Sequence, residues 1–297
     1  MPAHRCGRFA PSPTGRLHFG SLIAALGSWL FARAADARWL VRMDDLDRER
    51  EVAGAADDIL ATLAAFGLIA DGEITYQSAR GETYACALRR LADAGHAYRC
   101  WCSRADLEPL GGVHPHTCVA APAPQRAPAW RVRVPAGEIR FEDPIQGVQA
   151  WNLAETAGDF VIWRVEGNAA YQLAVVVDDD AQGVDMIVRG ADLLDSTPRQ
   201  ILLQRLLGLR QPAYAHLPLA LDGDGRKLSK HEGARAVDAA NPLPALRAAL
   251  AFLGQDISPA DNPAALLRSA ARSFAPQRIV RSAAVAPAFA ALRKEVS

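Results

Sequence analysis

The sequence predicts an α/β protein with a parallel sheet, interrupted by an insertion. Three observations carry that reading. Strand-like and helical segments alternate from residue 1 to about 95, and alternate again after about 165. Between them, from about 98 to 165, prolines, short β-rich runs and clustered cysteines replace the alternation. Alternating strand and helix buries a parallel sheet between helical layers, and 297 residues suffice for one large or two modest domains with a full core.

The elements follow in order. A short apolar run ends at Arg8-Phe9-Ala10, and Pro11, Pro13 and Gly15 turn the chain through His18 and Gly20. Leu22, Leu26, Trp29 and Leu30 then recur at helical spacing. Residues 38–43 read as a strand that ends in Asp44-Asp45-Leu46-Asp47, followed by helices over about 53–66 and 82–94. In the insertion, 130–134 and 160–165 are β-rich. Residues 171–177 form a near-continuous apolar run, which predicts a strand buried on both faces. Residues 185–189 read as a further strand, and Ser196-Thr197-Pro198 opens a helix that Gly208 closes. A strand-like stretch over 217–221 leads into the turn-rich loop Asp222 to His231, and helices are expected over about 242–254 and 263–274. The expected divisions are 1–97 and 166–235 for the two halves of the α/β domain, 98–165 for the insertion and 236–297 for a helical C-terminal region.

Composition excludes several classes. With 50% apolar and 22% charged residues the chain reads as an ordinary globular protein, and no apolar run approaches a membrane span. Arg8 interrupts the N-terminal apolar residues, so no secretory pattern is expected, and five cysteines argue against a disulfide framework. A cytoplasmic protein is the expectation. Thirty-three basic residues balance 33 acidic ones, which speaks against a large RNA footprint and leaves a local basic face open.

Three segments carry chemistry. A strand, turn and helix start over residues 8–21 offers backbone N–H groups and the helix dipole to phosphate, with His18 as an added donor and Gly20 permitting close approach. An ordinary βα turn is the alternative. In the downstream loop, Lys227 and Lys230 stand at a strand's carboxyl end, where open α/β sheets bind ligands, or else on a solvated basic loop. Cys100-Trp101-Cys102, His114, His116 and Cys118 place three cysteines and two histidines within 19 residues of a Pro- and Gly-rich stretch. That set is rich enough for tetrahedral zinc, against the alternative of unrelated buried thiols. His96 and His216 lie beside apolar runs and read as satisfied core or boundary residues; Cys6 and Cys86 read as structural and unpaired.

His18-Phe19-Gly20-Ser21 and Lys227-Leu228-Ser229-Lys230 resemble the HIGH and KMSKS motifs of class I aminoacyl-tRNA synthetases, whose catalytic domain is Rossmann-like. Within that class, residues 8–15, Arg42 to Asp47, Tyr171 to Asp179, and Ile187 to Asp192 resemble the glutamyl-tRNA synthetases. The resemblance is greatest to their truncated relatives, which act on the queuosine base of tRNA(Asp). It covers residue 5 to about 255, with its motifs in family order.

The resemblance implies ATP-dependent activation of L-glutamate and transfer to queuosine-containing tRNA(Asp), with Mg²⁺ accompanying ATP. It implies that Arg8, Phe9, Ala10, Pro11, Ser12, Asp44, Tyr171 and Arg189 contact glutamate, and that His18, Gly20 and Lys230, supported by Lys227, serve ATP and catalysis. Two arginines suit a substrate with two carboxylates, although each could be a structural ion-pair partner. In the zinc-bearing relatives a tyrosine supplies the third ligand, and His114 falls on its place. The implied set is therefore Cys100, Cys102, His114 and Cys118, with His116 the competitor. Asp44 stands where the family usually has glutamate, and Gln172 where asparagine is usual. Fewer than 70 residues follow Lys230, so no helical anticodon-binding region is expected. The rival expectations are a minimal glutamyl-tRNA synthetase charging a 3′ end and a non-catalytic binding or regulatory paralogue.

Overall fold

The computed structural model describes residues 6–123, 125–221, 236–281 and 284–285. Lys227 and Lys230, and with them the expectations placed on the lysine loop, lie outside the described residues.

Strand β1 (Cys6–Phe9) leads through the proline-rich turn into helix α1 (Phe19–Ala34), then β2 (Arg38–Met43), α2 (Ala55–Ala65), the short β3 (Thr75–Tyr76) and α3 (Gly81–Asp93). The inserted stretch supplies β4 (Ala97–Cys100), α4 (Arg104–Leu107), β5 (Ala129–Val132), β6 (Glu138–Asp143), β7 (Gly147–Asn152), α5 (Leu153–Thr156) and β8 (Val161–Trp163). The alternation resumes with α6 (Tyr171–Ala181), β9 (Met186–Gly190), α7 (Ser196–Leu207), β10 (Ala213–Leu217) and β11 (Ala220–Leu221). Helices α8 (Pro242–Phe252) and α9 (Pro263–Arg272) follow, and β12 (Ala284–Val285) pairs with β11.

The main sheet has the order β10-β9-β1-β2-β3, and its pairings are parallel. From β1 the chain builds outward to β2 and β3, then crosses back to add β9 and β10 on the other side. The switch between the two directions falls between β1 and β9, and open α/β sheets form their ligand crevice at such a point, beyond the strands' carboxyl ends. One apolar core joins α1, α2, α8 and α9 to one face of the sheet. On the other face, α3, α6 and α7 share a core with Val132, Ile139, Phe141, Phe160 and Ile162 of the insertion. The insertion is thus packed into the main body. Its strands are antiparallel, as β4-β5-β8 and as the β6–β7 hairpin.

Two elements depart from the sequence expectation. Residues 217–221 are not one strand, since β10 ends at Leu217 and β11 is only Ala220–Leu221. The apolar run at 171–177 is the first two turns of α6, where a strand was predicted. Leu173, Ala174, Val175 and Val176 are all buried, because this helix is enclosed on several sides. An enclosed helix loses the polar stripe that would reveal its period and reads like an interior strand. Its β-branched residues pointed the same way, and packing overrode that preference. The helical form also carries Asp178 and Asp179 back into the interior two turns after Tyr171. Cys6 is buried as expected, whereas Cys86 is exposed. Among the described residues no helix is long and apolar enough to cross a membrane.

Candidate active site

A cleft of about 790 Å³ opens at the carboxyl ends of β1, β9 and β10. It gathers Arg8, Phe9, Ala10, Pro11, Ser12, His18, Gly20, Asp44, Tyr171 and Arg189, so residues separated by up to 181 positions in sequence meet on one surface. Ala220 and Ala236 also line it. The described residues on either side of 222–235 therefore both reach this cleft. Ala236 bridges His18, and the Val237 N–H donates to the Leu17 carbonyl at 2.9 Å.

The phosphate end is built on the first turn of α1. His18 is the N-cap: its Nδ1 accepts the Ser21 backbone N–H at 3.2 Å, and Ser21 Oγ lies 3.0 Å from Nε2. An acceptor Nδ1 implies a neutral ring protonated at Nε2, which leaves that proton for Ser21 or for a phosphate oxygen. Glycine at position 20 has a local reason. A Cβ there would stand 3.2 Å from His18 Cε1 and 3.3 Å from Nδ1, crowding the ring out of its capping position.

The amino-acid end holds two buried arginines in different surroundings. Arg8 donates through Nε and Nη2 to the two carboxylate oxygens of Asp179 at 3.1 and 3.3 Å. Asp179 also accepts Arg42 Nη1 at 2.7 Å, and Arg42 Nε meets Asp44 at 2.7 Å. Asp178 takes Arg80 Nε at 2.5 Å and the Tyr84 hydroxyl and Gln77 amide at 2.8 Å each. Arg8, Arg42 and Arg80 thus balance Asp44, Asp178 and Asp179, three charges against three. Burial pushes the Asp179 carboxyl up, but Arg8 and Arg42 outweigh it and hold it below its usual range. At Asp44 burial wins over Arg42, and the carboxyl is raised.

Arg189 is equally enclosed, at 5% exposure, yet among the described residues it has no carboxylate partner. Its Nε donates to His216 Nε2 at 3.1 Å, Nη2 to Thr197 Oγ1 at 2.7 Å, and Nη1 lies 3.5 Å from the Tyr171 hydroxyl. A buried guanidinium held by neutral acceptors retains its full charge for an anion in the cleft. Sequence alone does not distinguish Arg8 from Arg189; in the fold Arg8 is paired with Asp179 and Arg189 is not. Gln172 lies outside the cleft lining and bonds Ser196 and Gln200 on α7.

A second constellation lies in the insertion. Cys100, Cys102, His114 and Cys118 converge, with one ligand atom from each within 4.8 Å of the others. Tetrahedral zinc with bonds of about 2.0–2.3 Å has ligand–ligand edges inside that limit, and three thiols with one imidazole are a soft donor set suited to it. His114 presents Nε2, 3.2 Å from Cys100 Sγ. Its Nδ1 lies 3.3 Å from the Tyr98 hydroxyl, which donates to Asp159 at 2.7 Å, a relay that leaves Nε2 bare for a metal. Gly158, at φ +58, runs against the His114 backbone, where a Cβ would collide. His116 is 61% exposed and meets Asp159, outside the cluster. Tyr98 and Asp159 are additions that the structure makes to the sequence expectation. Tyr98 carried a usable signal, since it precedes Cys100 by two residues on one strand and so shares its face.

The chain matches the model of tRNA synthetases class I (E and Q), catalytic domain, over residues 6–114 and 112–250, and it belongs to that family. It is 54% identical over 278 residues to the Glutamyl-Q tRNA(Asp) synthetase of Xanthomonas oryzae pv. oryzae, spanning 93% of this chain and 92% of that one. It is 50% identical over 282 residues to the protein of the same name from Pseudomonas entomophila, spanning 94% and 96%. Within the class I family it groups with these glutamyl-Q relatives. Among solved structures, a glutamate tRNA ligase from Elizabethkingia meningosepticum in complex with its amino acid matches with a TM-score of 0.80 at 26% identity. That match covers 97% of this chain and 68% of the ligase.

Proposed function

We infer that this enzyme joins L-glutamate to ATP as glutamyl-adenylate and transfers the glutamyl group to queuosine in the anticodon loop of tRNA(Asp). The observation that carries the activation step is a single cleft holding both Arg189, a buried guanidinium with no carboxylate partner among the described residues, and the His18-capped start of α1. Arg189 meets a carboxylate of glutamate, Asp44 and Tyr171 lie beside it for the ammonium and polar contacts, and Arg8 acts chiefly by fixing the wall through Asp179. The reacting carboxylate oxygen attacks the α-phosphorus of ATP and pyrophosphate leaves. No covalent enzyme intermediate is needed, so positioned donors and cations carry the catalysis. His18, the N–H groups of α1 and, from the sequence resemblance, Lys227 and Lys230 supply them, with Mg²⁺ brought by the nucleotide.

The acceptor rests on the glutamyl-Q relatives, which match over nearly their whole length. A hydroxyl of the queuosine cyclopentene ring attacks the acyl carbon, AMP leaves and an ester forms. Zinc at Cys100, Cys102, His114 and Cys118 would act structurally, tying β4 to the loop ahead of β5, since four protein donors leave no open position for substrate. The deciding experiment offers labelled glutamate and ATP to tRNA(Asp) lacking its 3′ CCA, with and without queuosine. Labelling that follows queuosine supports the reading. Labelling that needs the CCA end and ignores queuosine overturns it in favour of a minimal glutamyl-tRNA synthetase.

A further inference from the structure

Arg189 is braced from the insertion. Its register partner on the neighbouring strand β10 is His216, which is fully buried. For His216 Nε2 to accept from Arg189 Nε, the ring proton must sit on Nδ1, and Nδ1 lies 2.7 Å from Asp143 Oδ2. The same oxygen accepts the His216 backbone N–H at 2.9 Å, while Asp143 Oδ1 takes the Ile145 and Gln146 N–H groups at 2.8 Å each. Asp143 ends strand β6, at the turn of the inserted hairpin, and is itself buried. A carboxylate on the insertion therefore reaches the arginine through a single imidazole.

We propose that Asp143 and His216 are positioning residues for substrate recognition, through which the inserted hairpin holds Arg189 with its terminal nitrogens toward the amino acid's carboxylate. The proposal deepens the glutamate-activation reading and rests on it. A guanidinium grips a carboxylate side-on, through Nε and Nη2, or end-on, through Nη1 and Nη2. Here Nε is committed to His216 and one Nη2 hydrogen to Thr197. The end-on edge remains, and Tyr171 stands at it. Asp143 accepts the ring's Nδ1–H and so keeps Nε2 an acceptor for the arginine, without occupying the gripping edge. Asp179 does the opposite to Arg8, whose Nε and Nη2 it takes directly. Burial, with Arg189 adding to it, pushes the His216 imidazole down against the hydrogen bond to Asp143, which agrees with a neutral ring.

The test is ATP–pyrophosphate exchange on the full chain, with glutamate and ATP varied separately. His216→Phe keeps a ring but removes the acceptor. It is expected to raise the KM for glutamate roughly 10- to 100-fold, the scale of one hydrogen bond to a charged group, while the KM for ATP holds. His216→Gln, which returns an amide oxygen near the place of Nε2, should recover most of that loss. Asp143→Asn, which frees the imidazole tautomer, should raise the glutamate KM in the same direction. An unchanged glutamate KM in either His216→Phe or Asp143→Asn would overturn the proposal. So would equal losses for glutamate and ATP without recovery in His216→Gln. Should the phenylalanine variant fail to fold, Asp143→Asn and His216→Gln decide the matter alone. Calorimetric binding of glutamate to the same variants gives the split without catalysis. A wild-type chain that binds glutamate but exchanges no pyrophosphate would overturn the activation reading and still leave the relay measured.

Discussion

Arg8 and Arg189 sit on neighbouring strands, line the same cleft and are almost equally enclosed, yet the fold uses them differently. Arg8 enters a balanced cluster in which every arginine has an aspartate, and in which Asp178 and Asp179 each take several donors. Arg189 is surrounded by a histidine, a threonine and a tyrosine and keeps its charge. A paired buried ion is architecture, because its field is spent inside the protein. An unpaired one is a binding site, since its desolvation is made good only when an anion arrives. The thiol cluster belongs with Arg189, since its four donors converge where a metal ion could be held.

The largest effect expected from breaking this contrast is at Asp179. Asp179→Ala leaves Arg8 and Arg42 buried without their shared carboxylate and should cost about 3–5 kcal/mol of stability, read by denaturant unfolding. A loss below about 1 kcal/mol would mean that the cluster is not the structural unit described. Next comes Arg189→Met. It should lower kcat/KM for glutamate by roughly 10²-fold or more while leaving unfolding stability unchanged or higher, because the variant buries no unmatched charge. In the wild type, glutamine should exchange far more slowly than glutamate, since a neutral amide leaves the guanidinium poorly met; comparable rates would remove Arg189 from the carboxylate site.

A smaller effect is expected at the metal. Asp159→Asn weakens the Tyr98–His114 relay and should reduce zinc affinity about 10- to 100-fold. Elemental analysis should find about one zinc per chain, absent in His114→Ala and retained in His116→Ala; the reverse pattern would move the fourth ligand to His116. The smallest effect is in pH. Burial keeps His216 below its ordinary value, so the unfolded chain takes up a proton that the folded chain refuses. Stability contributed there is complete above the unfolded value of about 6.5 and is lost as pH falls below it. Asp179 is held low by its arginines, so its contribution persists to lower pH and is lost only as pH falls below about 3.9. Two separate acid steps should appear in unfolding measurements; His216→Gln should diminish the first, which His114, also pushed down by burial, shares, and leave the second unchanged.

The sequence by itself determined the elements and the chemical inventory. Turn residues between Phe9 and His18, the helical period after Gly20, the helix start at Ser196-Thr197-Pro198 and the closing Gly208 are local signals that the structure follows, although the N-cap is Asp195 and Ser196 is already the first helical residue. The thiols and His114 were legible because they crowd a short stretch, and tertiary folding had only to close a loop around them. The helix at Tyr171–Ala181 was not legible, because enclosure erased its polar face. Partner choice was not legible either. Arg8 is followed in sequence by the same kind of cleft residues as Arg189, and only the fold reveals that Asp179, 171 positions away, claims it. His216 read as a satisfied core residue and is one, yet what satisfies it is Asp143 from the insertion and Arg189 from the site. Local propensity acts over a few residues, and so a sequence declares its elements. The field around a buried charge is set by whatever the chain brings within a few ångströms, and that is decided only when strands from distant segments lie side by side.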